Sequence, residues 1–297
     1  MAEAPTGWSV DIEDADVNFS GGETDQTRMA TITPPEDASK GAVHFKFQTK
    51  DGEVYDQRSN QIEYEHIGRH PILANAATKV TRLDLKRMGN RIACVVGVGD
   101  PVPDTLRGIG YEIDLFEVAD LDRDQLKGYD TVILGPRTFD ALTGLDRKFD
   151  ELLAYVEEGG TLISQFNTTS SRAKSRFSSP YPLQLSRDRV SEEHVEMRML
   201  IPDHPVFNVP NKISSEDFDD WIQERGLYFS NNWDSKYDAV LSANDRGEAP
   251  RNGGMLIAQY GKGWYAYTGL SFFRQLPEGN PGAIRFFVNL ISLGHGN

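Results

Sequence analysis

The chain has 297 residues and carries 45 acidic against 31 basic side chains, a formal net charge of -14. Such a surface repels phosphate backbones, and no Lys/Arg stripe with interleaved aromatic residues is present, so we expect no nucleic-acid partner. No apolar run approaches the ~18 residues that a membrane span requires, and the single cysteine, Cys94, excludes an internal disulfide.

The N-terminal segment has neither the basic nor the apolar region of a signal peptide. It is typical of a domain placed behind an initiator methionine, which suggests a piece of a longer protein. The compartment therefore stays open, and a periplasmic or secreted location is compatible with a fragment of a longer exported protein.

Residues 1–82 are predicted to form a small all-β domain, a β-sandwich. Asp51-Gly52 is a hairpin signal, and short strands at this spacing are typical of a sandwich. The predicted strands alternate in polarity and are separated by Gly, Pro, Asp and Asn clusters: "WSVDI", "RMATITP", "AVHFKFQT" and "QIEYEHI".

Residues 83–297 are predicted to form an α/β domain with a flavodoxin-like, doubly wound sheet. Apolar strand segments alternate with helical segments, as in βαβ units. The segments are "RIACVVGVGD", "PVPDTLRGIG", "YEIDLFE", "DRDQLKGY", "DTVILGPR", "RKFDELLAYVEEGG" and "TLISQF". Ligands of such sheets bind at the carboxyl ends of the strands, here predicted at Gly97–Asp100, Gly135–Thr138 and Gln165–Thr168.

The pattern breaks at about 170–252, which is predicted as a long loop insertion. Structureless loops of this length are unusual without a role, so we expect it to be mobile or to face a ligand. The sheet resumes with a hairpin over "GMLIAQYGKGWYAYTGLSF", and an apolar helix, "GAIRFFVNLISLG", closes the chain.

Polar residues at the predicted strand ends and in the insertion form the candidate ligand site. Arginines beside an exposed tryptophan suit a carboxylate or a cluster of sugar hydroxyls. The alternative is ion pairing, because the charges of "SRDRVSEE" and "WIQERG" can neutralise one another across the loops. The candidate ligand-binding residues are Asp100, Arg137, Gln165, Asn167, Arg187, Glu224, Arg225, Trp233 and Arg274, with Asp188 and Arg189 in the same loop.

No cofactor is expected. Gly97-Val98-Gly99-Asp100 lacks the third glycine of a dinucleotide fingerprint, and prolines follow where phosphate-binding amides would be needed. The six histidines form no metal-ligand spacing, so no metal site is predicted.

A hydrolase, an esterase or amidase, is the alternative function. Its parts would be His204 as base with Asp203 or Glu224, Ser271 or a loop serine as nucleophile, and Arg274 stabilising an oxyanion. Ser271 has only half of the GxSxG frame, and Asp203-His204-Pro205 is more often a capped turn.

The chain from about Tyr64 to Leu293 resembles the C-terminal region of bacterial PIG-L (LmbE-like) deacetylases. The residues that carry the resemblance include "VGVGDPVPDTLRGIGYEIDLFE", "EEGGTLISQFNT", "YPLQLSRDRVSEE", "PDHPVFNVPNKIS" and "YTGLSFFRQLPEGNPGAIRFFVNLISLG". The resemblance implies a class I glutamine amidotransferase-like domain after the β-sandwich, and an upstream deacetylase domain as partner.

Two departures from this pattern bear on function. The PHPDDE-type zinc motif of the deacetylase is absent, since "RHPIL" and "DHPVF" lack the acidic pair. The amidotransferase cysteine is absent too: Gln165-Phe166-Asn167 stands at the turn where the resemblance places the nucleophile elbow. The leading hypothesis is therefore a non-catalytic accessory module that binds a carbohydrate, another small polar ligand or a partner domain.

Overall fold

The computed structural model describes residues 1–22 and 25–295. The chain divides into two compact units, Met1–Asp84 and Leu85–Asn297. In the described residues no helix is both long and apolar enough to cross a bilayer.

The first unit is all-β. β1, β4 and β9 form an antiparallel sheet, and the remaining strands pair as β2–β3, β5–β6 and β7–β8. Val43 is the single buried side chain among the described residues of this unit, so the sandwich arrangement stays a prediction. The strands are β1 Ala2–Glu3, β2 Ser9–Ile12, β3 Ala30–Thr33, β4 Ser39–Phe45, β5 Phe47–Gln48, β6 Val54–Tyr55, β7 Gln57–Tyr64, β8 Ile67–Asn75 and β9 Ala77–Arg82.

Two turns of this unit bear on the predicted strands. The Asp51-Gly52 turn joins β5 to β6, and Gly52 has a φ of 89°, which explains why glycine stands there. The segment predicted as one strand, "QIEYEHI", instead contains the β7–β8 turn, because the chain reverses between Tyr64 and Ile67.

The second unit is built on a seven-stranded sheet with the order β11-β10-β12-β13-β20-β19-β17. The first five strands are parallel, and in chain order they run 2-1-3-4-5, which is the flavodoxin-like order of doubly wound folds. This confirms the predicted fold class. The strands are β10 Arg91–Val95, β11 Glu112–Leu115, β12 Thr131–Leu134, β13 Thr161–Gln165, β17 Asp238–Ala239, β19 Met255–Tyr260 and β20 Gly263–Thr268.

Helices connect the strands and cover the sheet. α4 buries Phe149, Leu152 and Val156, the face that its apolar spacing predicts. α7 buries most of its length, and the Asn280 side chain caps it by accepting from the Ala283 amide at 2.9 Å. The helices are α1 Val102–Gly108, α2 Arg123–Leu126, α3 Thr138–Ala141, α4 Phe149–Glu157, α5 Ser171–Arg176, α6 Phe272–Gln275 and α7 Pro281–Ile291.

The insertion at 170–252 is more ordered than its sequence predicts. β14 (Leu183–Val190) and β16 (Gly226–Trp233) form an antiparallel ribbon, and β15 (Arg198–Met199) pairs with β18 (Leu241–Ser242). Its aromatic side chains are buried, which fixes the segment although its polar residues suggested a mobile loop; the fully buried ones are Phe218, Trp221 and Phe229, with Phe207 stacked on Phe286.

Candidate functional site

The carboxyl ends of the parallel strands meet at one edge of the sheet, which we call the carboxyl edge. In an open sheet with this order, ligands bind where the strand order reverses. Here that point lies between β10 and β12, the first and third strands in chain order. The loops after β10, β12, β13 and β20 therefore define the site.

Asp100 lies at this reversal point. Its Oδ1 accepts from the Val102 amide at 3.1 Å, and its carboxylate lies against Gly135, where a Cβ would overlap it. Burial raises the pKa of Asp100 to about 6, and hydrogen bonds from the Val102 and Gly97 amides oppose that rise. The fold thus holds a carboxyl group with a raised pKa at the position predicted for ligand contact.

Arg137 occupies the sharp turn between β12 and α3. Its backbone is left-handed, with φ 62° and ψ 25°, and its amide donates to the Phe166 carbonyl at 2.8 Å. A strained strand-to-helix turn is the geometry of a nucleophile elbow. Arg137, with an exposed guanidinium, thus occupies a strained strand-to-helix turn after β12, whereas Gln165, Phe166 and Asn167 have no positive φ.

Asn167 is a structural residue, which corrects its prediction as a ligand contact. Its side chain is fully buried; Oδ1 accepts from the Phe139 amide at 2.9 Å, and Nδ2 donates to the Gln165 carbonyl at 3.1 Å. Phe139 is the second residue of α3. The Asn167 amide thus satisfies a backbone N–H at the start of that helix and is enclosed by the protein.

The Gln165 amide, unlike that of Asn167, lacks hydrogen-bond partners in the part of the chain that the structure describes. Its side chain is 1% exposed, and neither its Nε2 nor its Oε1 has a hydrogen-bond partner among the described residues. The β12–β13 register pairs Leu134 with Ser164, so Gln165 follows on beside Gly135, near Asp100. Buried amides without partners are rare, because desolvation of each polar atom costs about 1–3 kcal/mol.

An aromatic cluster covers the ends of β13 and β20. The Phe166 ring stacks on Tyr228 with centroids 5.8 Å apart and lies 5.3 Å from Phe273. The Arg274 guanidinium carbon is 4.8 Å from the Phe273 centroid, and its Nε is 2.9 Å from Oε1 of Glu224. Phe166, Tyr228 and Phe273 are called the aromatic platform below.

Tyr228 is a second strained residue at this place. Its φ is 54°, and its carbonyl accepts a hydrogen bond from the Tyr267 hydroxyl. Left-handed backbone is unfavourable for an aromatic residue and persists only where the surroundings impose it. Arg137 and Tyr228 thus both contact Phe166, and both are in strained conformations.

Asp140 anchors the loop that follows β13. It accepts from the Thr168 amide and hydroxyl at 2.8 and 2.6 Å and from the Ser170 hydroxyl at 2.7 Å. Burial alone would raise the pKa of Asp140, but these bonds and the charge of Arg137 hold it below its usual value. Between these anchors, Thr169 Oγ1 accepts from Nε of the exposed Arg187 at 3.3 Å.

Two further predicted contacts are structural. Arg225 is buried and donates to the carbonyls of Val195 and Phe218, so it cross-links the insertion. Burial lowers the pKa of Arg225 to about 10. Trp233 packs against the core beside Gly253 and is not the exposed ring that was predicted.

The parts of the predicted hydrolase are not assembled. Ser271 is buried, and its hydroxyl donates to the Glu224 carbonyl at 2.6 Å. The His204 ring lies 6.0 Å from that of Trp264, which pairs with the first residue of β13 at the amino edge. At about 3.3 Å per strand residue, the end of β20 is roughly 13 Å from Trp264.

His204 is instead held as a turn residue. Its Nδ1 accepts from the Val206 amide at 3.1 Å, while the adjacent Asp203 is exposed. The structural alternative, a capped turn, is therefore the arrangement found, with the histidine rather than the aspartate as the acceptor. His204, Asp203 and Ser271 do not form a catalytic group.

Cys94 cannot replace the missing nucleophile. It lies within β10 and is buried, and burial raises the pKa of its thiol far above the usual value. The thiolate is the reactive form of cysteine, so this side chain is inert in the folded protein.

A cavity of about 620 Å³ opens between the insertion loops. Its acidic side chains bind backbone: Glu192 accepts from the Arg246 amide and Glu193 from the Gln223 amide. These carboxylates already have partners, so we place the candidate site at the carboxyl edge.

The structure therefore brings Asp100, Arg137, Gln165, Arg187 and Arg274 to one edge and removes Asn167, Arg225 and Trp233 as ligand contacts. Sequence reasoning missed the platform rings of Tyr228 and Phe273. Each is an aromatic residue within an apolar or mixed segment, and no local signal separates such a ring from a core residue.

The chain was compared with protein families, curated proteins and solved structures. No family model matches the chain, and no curated protein matches it. Solved structures of similar shape include a cytoplasmic protein of Salmonella typhimurium, with 15% identity over 80% of this chain and 95% of that one, at a TM-score of 0.44.

Two others are a GMP synthase-like protein of Thermoplasma acidophilum and a ThuA-like protein of Bacteroides uniformis. Each is 11% identical to this chain, at a TM-score of 0.43. The first match covers 70% of this chain and 96% of the Thermoplasma protein. The second covers 73% of this chain and 97% of the Bacteroides protein. These scores are too low to carry functional information, so the fold assignment rests on the strand order.

Proposed function

We propose that the α/β unit is a non-catalytic ligand-binding module that takes a carbohydrate, or a similar small polar ligand, at the carboxyl edge. The observation that carries this proposal is the aromatic platform between Arg137 and Arg274. Sugar rings present apolar C–H faces that pack on aromatic rings, while guanidinium groups donate to their oxygens in a fixed geometry.

The chemistry of the edge supports binding over catalysis. Covalent catalysis needs a nucleophile within hydrogen-bond reach of a base. The strained turn carries Arg137, the Ser271 hydroxyl is bound to a backbone carbonyl, and Cys94 is buried within its strand. Asp100 has the raised pKa of a general acid or base, but without a paired nucleophile it does not complete a covalent mechanism.

We further propose that the module serves an upstream deacetylase domain of the PIG-L type. The resemblance of the sequence to the C-terminal region of those enzymes supports this partner. In this arrangement the module would hold the glycan near the catalytic domain and raise its effective concentration there.

Calorimetric titration of the whole chain with glucose, N-acetylglucosamine, glucuronate and glucose 6-phosphate tests the binding proposal. Phe273→Ala removes one partly exposed ring of the platform and should weaken binding about tenfold. Tyr260→Ala is the matched control, because Tyr260 is also partly exposed but lies at the opposite end of the sheet, paired with Gly263.

The proposal predicts binding in the wild type, loss in Phe273→Ala and little change in Tyr260→Ala. Equal losses in both variants, or no binding of any sugar, would contradict it. Turnover of p-nitrophenyl acetate that disappears in Ser271→Ala would also contradict it and would return the hydrolase to consideration.

A further inference from the structure

A basic segment borders the platform in a protein that is otherwise acidic. Between Thr168 and Arg189 the chain carries five basic residues and one acidic residue, although the whole chain has a net charge of -14. The acidic residue, Asp188, lies 3.1 Å from Arg251 and does not neutralise its neighbours. This segment therefore supplies a local positive potential at the carboxyl edge.

Two guanidinium groups at this edge lack a carboxylate within ion-pair distance. Arg137 and Arg187 are both exposed, and in residues 1–22 and 25–295 neither forms an ion pair within 4 Å. Arg274, by contrast, is paired with Glu224. Arg274 is thus paired directly, Arg137 interacts with the Asp140 charge from beyond 4 Å, and Arg187 forms no ion pair among the described residues.

The fold relates these two groups to the loop that follows β13. Asp140 binds Thr168 and Ser170, and Arg187 donates to Thr169 between them. Arg137 precedes Asp140 by one turn of α3, and its positive charge lowers the pKa of Asp140. Arg187 therefore contacts the segment Thr168–Ser170, and Arg137 lies near Asp140, which binds the same segment; this segment closely follows the platform residue Phe166.

The partnerless Gln165 amide is an independent indication of a ligand. It precedes Phe166 at the end of β13, is 1% exposed, and offers a donor and an acceptor. A sugar hydroxyl both donates and accepts, so it matches this amide, whereas a simple anion matches only its donor.

We propose that the ligand of the carboxyl edge is an anionic sugar, whose carboxylate or phosphate group binds to Arg137 and Arg187 while its ring packs on Tyr228 and Phe273. This inference rests on the proposed function and deepens it by naming the ligand class. Charge-assisted hydrogen bonds from guanidinium to carboxylate or phosphate are about twice as strong as neutral ones.

The test compares four probes on the whole chain: glucuronate, glucose 6-phosphate, glucose and inorganic phosphate. At least one charged sugar should bind about tenfold or more tightly than glucose and than phosphate alone. Glucuronate and glucose 6-phosphate separate a carboxylate ligand from a phosphate ligand.

Arg187→Gln should reduce the affinity for the charged sugar about tenfold and leave glucose binding unchanged. Arg137→Asn should do the same, since asparagine tolerates left-handed backbone. Lys127→Gln is the matched control: it removes one exposed positive charge at the amino edge, four residues before β12. Circular dichroism and urea unfolding check that each variant folds. If Arg137→Asn does not fold, Arg187→Gln alone provides the test.

The outcomes separate this inference from the proposed function. If glucose binds as tightly as the charged sugars and Arg187→Gln has no effect, the anionic ligand is refuted while sugar binding stands. If no sugar binds, both fail. Phosphate binding equal to that of glucose 6-phosphate, or an equal loss in Lys127→Gln, would also overturn the inference, because either result indicates nonspecific charge.

Discussion

Replacing Asp100 with asparagine should stabilise the α/β unit at neutral pH. Burial raises the pKa of Asp100 from 3.8 to about 6. The folded state therefore binds more protons than the unfolded state between these pH values, and stability is lost as the pH rises through that window. At pH 8 the full shift corresponds to about 3 kcal/mol against the folded protein, and partial solvent access reduces it.

The gain is smaller than that shift because an asparagine at this position would accept one hydrogen bond fewer. The Val102 and Gly97 amides both donate to the carboxylate, whereas the carboxamide has one acceptor oxygen, so about 1 kcal/mol is lost. We expect the free energy of unfolding of Asp100→Asn, relative to that of the wild type, to increase by about 1–2 kcal/mol as the pH rises from 4.5 to 8.

Urea unfolding followed by tryptophan fluorescence at both pH values measures this change. Asp104→Asn is the control, since Asp104 is an exposed residue of the following helix, paired with Arg107 at the surface. It should change stability by less than about 0.5 kcal/mol at either pH. A difference between Asp100→Asn and the wild type that is independent of pH would refute the reasoning.

Three other predictions concern buried polar groups. Asn167→Ala should lower the free energy of unfolding by about 2–4 kcal/mol, because the Phe139 amide and the Gln165 carbonyl lose their partner; urea titration measures this, and a change under about 1 kcal/mol would contradict it. Burial lowers the pKa of His204 more than nearby Asp238 raises it, so the unfolded state binds the proton first as the pH falls below about 6.5; stability should drop there, and His204→Leu should reduce this dependence in urea titrations at pH 7.5 and 5.5. Iodoacetamide should label Cys94 only in denaturant, since burial raises the pKa of its thiol; rapid labelling of the native protein, seen by mass spectrometry, would show that β10 opens.

The sheet could be predicted from the sequence because its signals are local. The buried strands β10, β12 and β13 are short apolar runs separated by helical segments, and such alternation permits few topologies. The insertion was predicted as a loop for the converse reason. Its order depends on buried rings such as Trp221 and Phe229, whose partners are distant in sequence.

The site could be predicted only as a location. The edge of the sheet follows from strand direction, and Asp100, Arg137 and Arg187 do lie there. The role of Asn167 could not be predicted, because its partner, the Phe139 amide, lies 28 residues earlier in the chain. The separation of His204 from Ser271 could not be predicted either, because it depends on which end of β20 each residue approaches.

The strained turn at Arg137 bears on function. Left-handed backbone is expected at glycine or asparagine, so the sequence did not identify Arg137 as the residue of a strained turn. The strained backbone of Arg137 and the raised pKa of Asp100, whose carboxylate lies against Gly135, both lower stability at the same edge of the sheet. Such costs persist in folded proteins where a site requires them. If Asp100→Asn stabilises the protein while weakening sugar binding, the carboxyl edge is a binding site maintained against stability; if it stabilises without affecting binding, Asp100 belongs outside the site.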